Sequence, residues 1–231
     1  MTSAQAGLRL LALLLDYPDE ALLAGRDEVA AALAELEPSP RRDGLAAFVT
    51  WLYETDRFAI EQEYVASFDF SKRTTLYMSF YTYGDRRQRG MAMLALKERF
   101  AAAGLPFDSD GGNLPDYLPA VLEFAALAPA EDGEELLRQL RAGIEIVRAG
   151  LHGAGSPYAV LLDALVAGMP KLTRGQRAAL EKIASEGPPT EEVGLEPFAP
   201  PEFMPEPVSG PGWGGAAAAG GASLPPGASR R

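Results

Sequence analysis

"FDFSKRTTLYMSFYTYGD", residues 68–85, is either a strand or a helix, and the choice separates a mixed fold from an all-α one. It holds six of the chain's Phe and Tyr residues, of which there are 10 and 8. Lys72 and Arg73 lie inside it, and Arg86, Arg87 and Arg89 follow at once. The part "TTLYMSFYTY" is rich in residues that favour strands. Yet Tyr77, Phe80 and Tyr81, or Leu76, Phe80 and Tyr83, also recur at helical spacing. A single strand in helical surroundings would leave its backbone groups unpaired. The neighbouring sequence therefore has to choose between the two.

That neighbouring sequence is helical almost throughout. Leu8, Leu11, Leu14 and Leu15 share one helix face, and Pro18 closes that helix. The run from Asp19 to Glu37 is dense in Ala, Leu and Glu, which are good helix formers. Leu45, Phe48, Val49 and Leu52 form a stripe, and Ile60, Tyr64 and Phe68 follow at i+4 intervals. Asp85 and Gln88 have capping-box spacing for a helix through Met91, Met93, Leu94, Leu96 and Phe100, with Gly104 at its end. "LPDYLPAVLEFAAL" (114–127), "EELLRQLRAGIEIVRAGL" (134–151) and "PYAVLLDALVAGM" (157–169) supply further helices, and a weaker one follows at residues 174–185. No strand pair, Asn-Gly turn or fixed repeat stands out. The expectation is a single all-α domain of nine or ten helices over residues 1–186, with residues 76–83 as a buried helix.

Residues 187–231 are a different material, with 10 Pro and 9 Gly in 45 residues. Proline lacks a donor and glycine costs backbone entropy, so a disordered tail is expected there.

Composition narrows the chemistry. The formal net charge is −11, from 21 Lys and Arg against 32 Asp and Glu. That charge repels phosphate backbones, so nucleic acid is not an expected partner. Residues 71–90 reverse the sign locally, and Lys72, Arg73, Arg86, Arg87 and Arg89 could form a cationic rim. There is no cysteine, which removes thiolate catalysis, disulfides and cysteine-ligated metals. The run "LRLLALLL" (8–15) is short, contains Arg9 and ends in "DYPDE", which points to a buried helix of a cytoplasmic protein and not to a leader or a membrane span. The one histidine, His152, sits late in a helix and suits a dipole partner better than a catalyst. "DSDGGN" (108–113) hints at a calcium loop, but position 12 of an EF-hand loop would be Pro119, where a bidentate Glu is needed. No enzyme, metal or cofactor reading survives.

A binding surface fits better. Tyr64 and Phe68 are adjacent on one helix face, where aromatic pairs form pocket walls. Asp116 is read as the surface carboxylate at a helix start, either a cap or an acceptor aimed into a groove between helices. A helical domain with such a groove binds an amphipathic segment through apolar anchors.

The stretch "YVASFDFSKRTTLYMSFYTYGDRRQRGMAMLALKERFAAAGL" (64–105), followed by "LPDYLPAVLEFAAL", resembles the NarJ family of delta-type assembly chaperones of respiratory nitrate reductase, within the TorD/DmsD/NarJ group. The resemblance covers residues 8–170 and is densest over 63–128. Glu63, Tyr64 and Phe68 match the group's Glu-Tyr-x-x-x-Phe-like element, and Pro115 and Asp116 part of its Pro-x-Asp-His-like element. Tyr117 stands where many relatives have histidine, so any role of that histidine does not carry over. The resemblance implies an all-helical, TorD-like cytoplasmic chaperone that binds the N-terminal, leader-like segment of the nitrate reductase catalytic (alpha) subunit. Such a chaperone assists molybdenum cofactor insertion and is absent from the finished enzyme. A different molybdoenzyme of the same class is the alternative client. The expected peptide-binding set is Glu63, Tyr64, Phe68, Asp69, Pro115, Asp116, Tyr117 and Glu123. A monomer or a weak, domain-swapped dimer is expected.

Overall fold

The computed structural model describes residues 1–71, 73–84, 87–108 and 112–186. These lie in the first of two compact units, Met1–Glu191. The Pro/Gly-rich segment from residue 187 onward and the Asp85 cap lie outside the described residues.

Helix α1 (Ser3–Leu15) starts at a capping box between Thr2 and Gln5 and buries Leu8, Leu11, Leu14 and Leu15. The run read as one helix after Pro18 is two, α2 (Glu20–Ala24) and α3 (Arg26–Ala34), parted at Gly25. Ser39 caps α4 (Pro40–Glu54), with Pro at its first turn where no donor is lost. Asp56 caps α5 (Arg57–Phe68), which buries Ile60, Tyr64 and Phe68 as the i+4 spacing predicts. A single turn, α6 (Phe80–Tyr83), precedes α7 (Gln88–Ala102). Gly104 follows α7 with φ +75°, a conformation glycine adopts without strain. Then come α8 (Leu118–Leu127), α9 (Ala130–Gln139), α10 (Arg141–Ala154), α11 (Ala159–Ala167) and α12 (Arg174–Glu186).

The described residues thus form twelve helices and no strand, an all-α fold. The core is laid down by α1 against α8 and by α4 against α11, with α10 closing on α11. Leu11, Leu15, Leu45, Leu118, Leu122, Ile144, Leu161 and Leu165 are all fully buried there. By the area rule, each such side chain contributes about 1.5–3 kcal/mol on leaving water. No described helix is long and apolar enough to cross a membrane.

The opening stretch behaves differently from the helix expected of it. Leu76 and Tyr77 lie outside any helix, Met78 and Ser79 form a turn, and only Phe80–Tyr83 is helical. The partner that a lone strand would lack is supplied by residues 116–118. Met78 N–H donates to the Asp116 carbonyl at 2.9 Å and Leu118 N–H to the Leu76 carbonyl at 2.8 Å, around an antiparallel Tyr77–Tyr117 bridge. These two rungs give the Met78 N–H and the Leu76 carbonyl their partners, so local β propensity prevails over the helical spacing at Tyr77. Leu76, Met78, Phe80 and Tyr81 still point into the core, as expected of a buried segment.

Candidate functional site

The two-rung bridge puts Asp116 in a place the sequence did not suggest. Expected as a surface carboxylate at a helix start, it is fully buried. The helix begins two residues later, so Asp116 caps nothing. Its Oδ2 accepts from Ser79 N–H at 3.1 Å, from the Ser79 hydroxyl, and from Arg89 Nη2 at 3.3 Å. Its Oδ1 has no hydrogen-bond partner among the described residues. Arg89, expected on a cationic rim, turns inward instead. Its Nε donates to Ser79 Oγ at 3.1 Å, and its guanidinium lies 6.0 Å from the centre of the Tyr77 ring. Of the other rim candidates, Arg73 and Arg87 are exposed, and Lys72 and Arg86 lie outside the described residues.

On α5, Tyr64 and Phe68 do form the expected aromatic pair, at 4.9 Å between ring centres. Both face inward. Tyr158 of the α10–α11 turn packs edge-on against each, at 5.6 and 5.1 Å. Glu63 accepts from Ser67 Oγ at 2.9 Å, and Ser67 meets Ser156 at 2.7 Å. These contacts fix α5 against the α10–α11 corner. Phe68, which is buried, and Asp69, which is exposed, line a small hollow of about 190 Å³ together with Ser71, Tyr77 and Arg89.

Tyr64 also reaches across to the start of α8. Its hydroxyl lies 3.0 Å from that of Tyr117, 3.3 Å from the Leu15 carbonyl, and Tyr117 in turn lies 3.0 Å from Asp16 Oδ1. Burial pushes both phenols well above their ordinary range, and the neighbouring Asp16 carboxylate adds to this. Both therefore stay protonated near neutrality. Asp16 ends α1, so this chain of oxygens ties α1, α5 and α8 at one point.

Tyr117 and Asp16 open onto a much larger cleft of about 970 Å³. Its floor is α1 and α8, through Leu10, Leu13, Pro119, Ala120 and Leu127. One wall comes from the end of α7 and the following turn, through Phe100, Leu105 and Phe107. Phe100 stacks flat on Phe124 of α8, with ring centres 4.4 Å apart. The charged lining is mostly acidic: Asp16, Glu35, Asp108 and Glu123 against Arg9. Among the described residues no ion pair engages Asp16, Glu35 or Glu123, so these carboxylates are available to a guest.

Of the expected peptide-binding residues, Tyr117 and Glu123 line this cleft. Pro115 and Asp116 lie beneath its edge, and Glu63, Tyr64, Phe68 and Asp69 belong to α5 and its small hollow. Sequence reasoning missed Leu10, Leu13, Asp16, Phe100 and Phe107. One signal was present: Leu13 falls off the stripe of Leu8, Leu11, Leu14 and Leu15, and it is 44% exposed. Among the described residues no group of three or more His, Asp and Glu side chains is placed to hold a metal ion.

Known proteins match this chain over the same elements. The model of the nitrate reductase delta subunit family matches residues 26–162. The probable nitrate reductase molybdenum cofactor assembly chaperone NarJ of Bacillus subtilis is 32% identical over 181 residues, covering 78% of this chain and 96% of that protein. The Escherichia coli K12 chaperone NarJ is 32% identical over 181 residues, covering 78% of this chain and 75% of its own length. The nitrate reductase-like protein NarX of Mycobacterium tuberculosis is 36% identical over 146 residues, covering 63% of this chain and 22% of that longer protein.

Proposed function

The chain belongs to the nitrate reductase delta subunit family, and on that premise we propose that its α1–α8 cleft receives the N-terminal segment of a nitrate reductase catalytic subunit. The chain is an assembly chaperone and not an enzyme, in line with the names of its relatives. In our reading it holds the apo catalytic subunit in the cytoplasm while the molybdenum cofactor is inserted, and it leaves the finished enzyme.

The observation that carries the peptide reading is the cleft itself. It offers an apolar floor about two helices wide, with the carboxylates of Asp16, Glu35 and Glu123 at its edge, which no ion pair engages among the described residues. An amphipathic segment laid there buries its apolar side on Leu10, Leu13 and Leu127, at about 25 cal/mol per Å² before ordering costs. A basic leader-like segment matches the acidic edge, which raises the association rate and fixes orientation. The expected residues Tyr117 and Glu123 belong to this receptor, and Tyr64 supports it from below.

Calorimetric titration with a synthetic 20-residue N-terminal peptide of the co-encoded catalytic subunit tests this. Micromolar binding by the wild-type chain is expected. Leu13→Asp, which charges the floor at an exposed position, should weaken it at least about tenfold, corresponding to a loss of about 1.4 kcal/mol. A folded wild-type chain with no detectable binding would sink the peptide reading.

A further inference from the structure

Counting protons along the oxygen chain at the cleft edge gives more than a structural tie. Four oxygens stand in a row: Leu15 carbonyl, Tyr64 hydroxyl, Tyr117 hydroxyl and Asp16 Oδ1. The three gaps are 3.3, 3.0 and 3.0 Å. The two 3.0 Å gaps are ordinary for hydrogen bonds between oxygens, and the 3.3 Å gap to Leu15 is a long, weak one. The two ends, a carbonyl and a carboxylate, only accept, and each phenol carries one proton. Two protons therefore serve three contacts. If Tyr64 donates to Leu15 and Tyr117 to Asp16, the two phenol oxygens face each other with lone pairs alone. If both protons point toward Asp16, the Leu15 carbonyl goes without, and if both point toward Leu15, Asp16 loses its phenol donor. Asp16 Oδ1 also accepts the N–H of Tyr17 at 2.9 Å, so the shortage sits with the buried phenols.

Tyr64 and Tyr117 are buried, whereas Asp16 is exposed, and Tyr117 and Asp16 both line the cleft. Among the described residues no basic side chain pairs with Asp16. Arg9, the one basic side chain of the lining, lies two turns back on α1. The missing donor can thus come from the cleft.

We propose that Asp16 and Tyr117 form a subsite for one cationic side chain, Lys or Arg, of the bound segment. Its N–H groups donate to the Asp16 carboxylate and to the Tyr117 oxygen together. The Tyr117 hydroxyl then turns to Tyr64, and the Tyr64 hydroxyl to the Leu15 carbonyl, so every oxygen in the row has a donor. Asp16 is the specificity-determining residue, and Tyr117 and Tyr64 are positioning residues that couple the cation to the α1–α5–α8 junction. The inference rests on the peptide reading above, to which it adds a requirement for one cation at a defined place.

The test uses the full chain and two synthetic peptides, the 20-residue catalytic-subunit segment and the same segment with every Lys and Arg replaced by Gln. The basic peptide should bind the wild-type chain at least about tenfold more tightly, as expected for hydrogen bonds to a charged group. Asp16→Asn should cut that preference to below about twofold. In protein carrying 13C at the tyrosine ring carbon that bears the hydroxyl, the Tyr64 and Tyr117 resonances, assigned through Tyr64→Phe and Tyr117→Phe, should shift with the basic peptide and not with the neutral one. If Asp16→Asn keeps the preference, or the two tyrosines respond alike to both peptides, the subsite is wrong even though the cleft binds. If neither peptide binds the folded wild-type chain, the peptide reading falls and this inference with it.

Discussion

Replacing Asp116 by Ala probes the hinge on which the site is built. Asp116 Oδ2 gathers three donors: the Ser79 N–H at 3.1 Å, the Ser79 hydroxyl, and Arg89 Nη2 at 3.3 Å. Ser79 is 2% exposed, so water does not replace the lost acceptor for its N–H. A buried donor left without a partner costs about 1–3 kcal/mol, and a hydrogen bond to a charged group contributes about 1.5–3 kcal/mol. Against this, removing the carboxylate also removes a buried Oδ1 that nothing among the described residues satisfies. The net loss works out at roughly 2–4 kcal/mol. With a urea slope of about 2–3 kcal/mol per M for a domain of this size, the unfolding midpoint should fall by about 0.7–2 M. Asp116→Asn keeps one acceptor oxygen for Ser79 and should lose about half as much. Circular dichroism at the helical minimum follows both transitions. A midpoint for Asp116→Ala within about 0.3 M of the wild type would mean that the Ser79 N–H finds another partner at no cost and that Asp116 does not hold this junction.

Two further outcomes follow from the same structure. A Cβ on Gly133 would lie 2.7 Å from the Ala125 carbonyl oxygen and 2.8 Å from its Cα, where α9 crosses α8. Gly133→Ala should therefore lower Tm by several degrees, from about 1–3 kcal/mol of overpacking. Gly90→Ala, which meets nothing within 4 Å on α7, should leave Tm unchanged or raise it slightly, and scanning calorimetry compares the two. The Asp163 carboxyl is held below its usual range. Partial burial pushes it up, but hydrogen bonds from His152 at 3.0 Å and Arg148 at 2.5 Å outweigh this. A depressed carboxyl stabilises the fold above its unfolded pKa, and that stabilisation is lost as pH falls through the folded value. Urea midpoints between pH 5 and pH 2.5 should therefore drop less steeply for Asp163→Asn than for the wild type.

Much of the fold was legible because its signals are local. The Leu8, Leu11, Leu14 and Leu15 stripe, the Ile60, Tyr64 and Phe68 spacing and the glycine after α7 each specify one element without reference to any other. The site was legible only in part, because it depends on pairings distant in sequence. Nothing within residues 76–83 announces that residues 116–118 will pair with them and make two rungs of β structure possible. The burial of Asp116 and the inward turn of Arg89 both follow from that pairing. The cleft likewise arises where α1 meets α8, about a hundred residues later, and helical periodicity says which face is apolar but not which helix it will meet. The family resemblance marked the right neighbourhood, since Tyr117 and Glu123 line the cleft, but it carried no information on Leu10, Leu13 or Asp16.

Helix α7 carries a consequence for the timescale on which the cleft can change. It has 15 residues, of which Phe100 alone is buried, and Met91 and Leu94 stand 67% and 50% exposed. Polar contacts hold it near both ends: Arg89 on Asp116 and Ser79, and Arg99 on the Asp132 carbonyl at 2.8 Å and on Gln139 at 3.3 Å. A helix with so little apolar area against its neighbours opens at a free energy well below that of the whole domain. Its amides will therefore exchange with solvent hydrogen long before those of α8, whose residues are mostly buried. Because Phe100 and the turn after it form one wall of the cleft, an opening of α7 widens the cleft. On the peptide reading proposed above, the bound segment would enter and leave without the core of α1, α4, α8 and α11 coming apart.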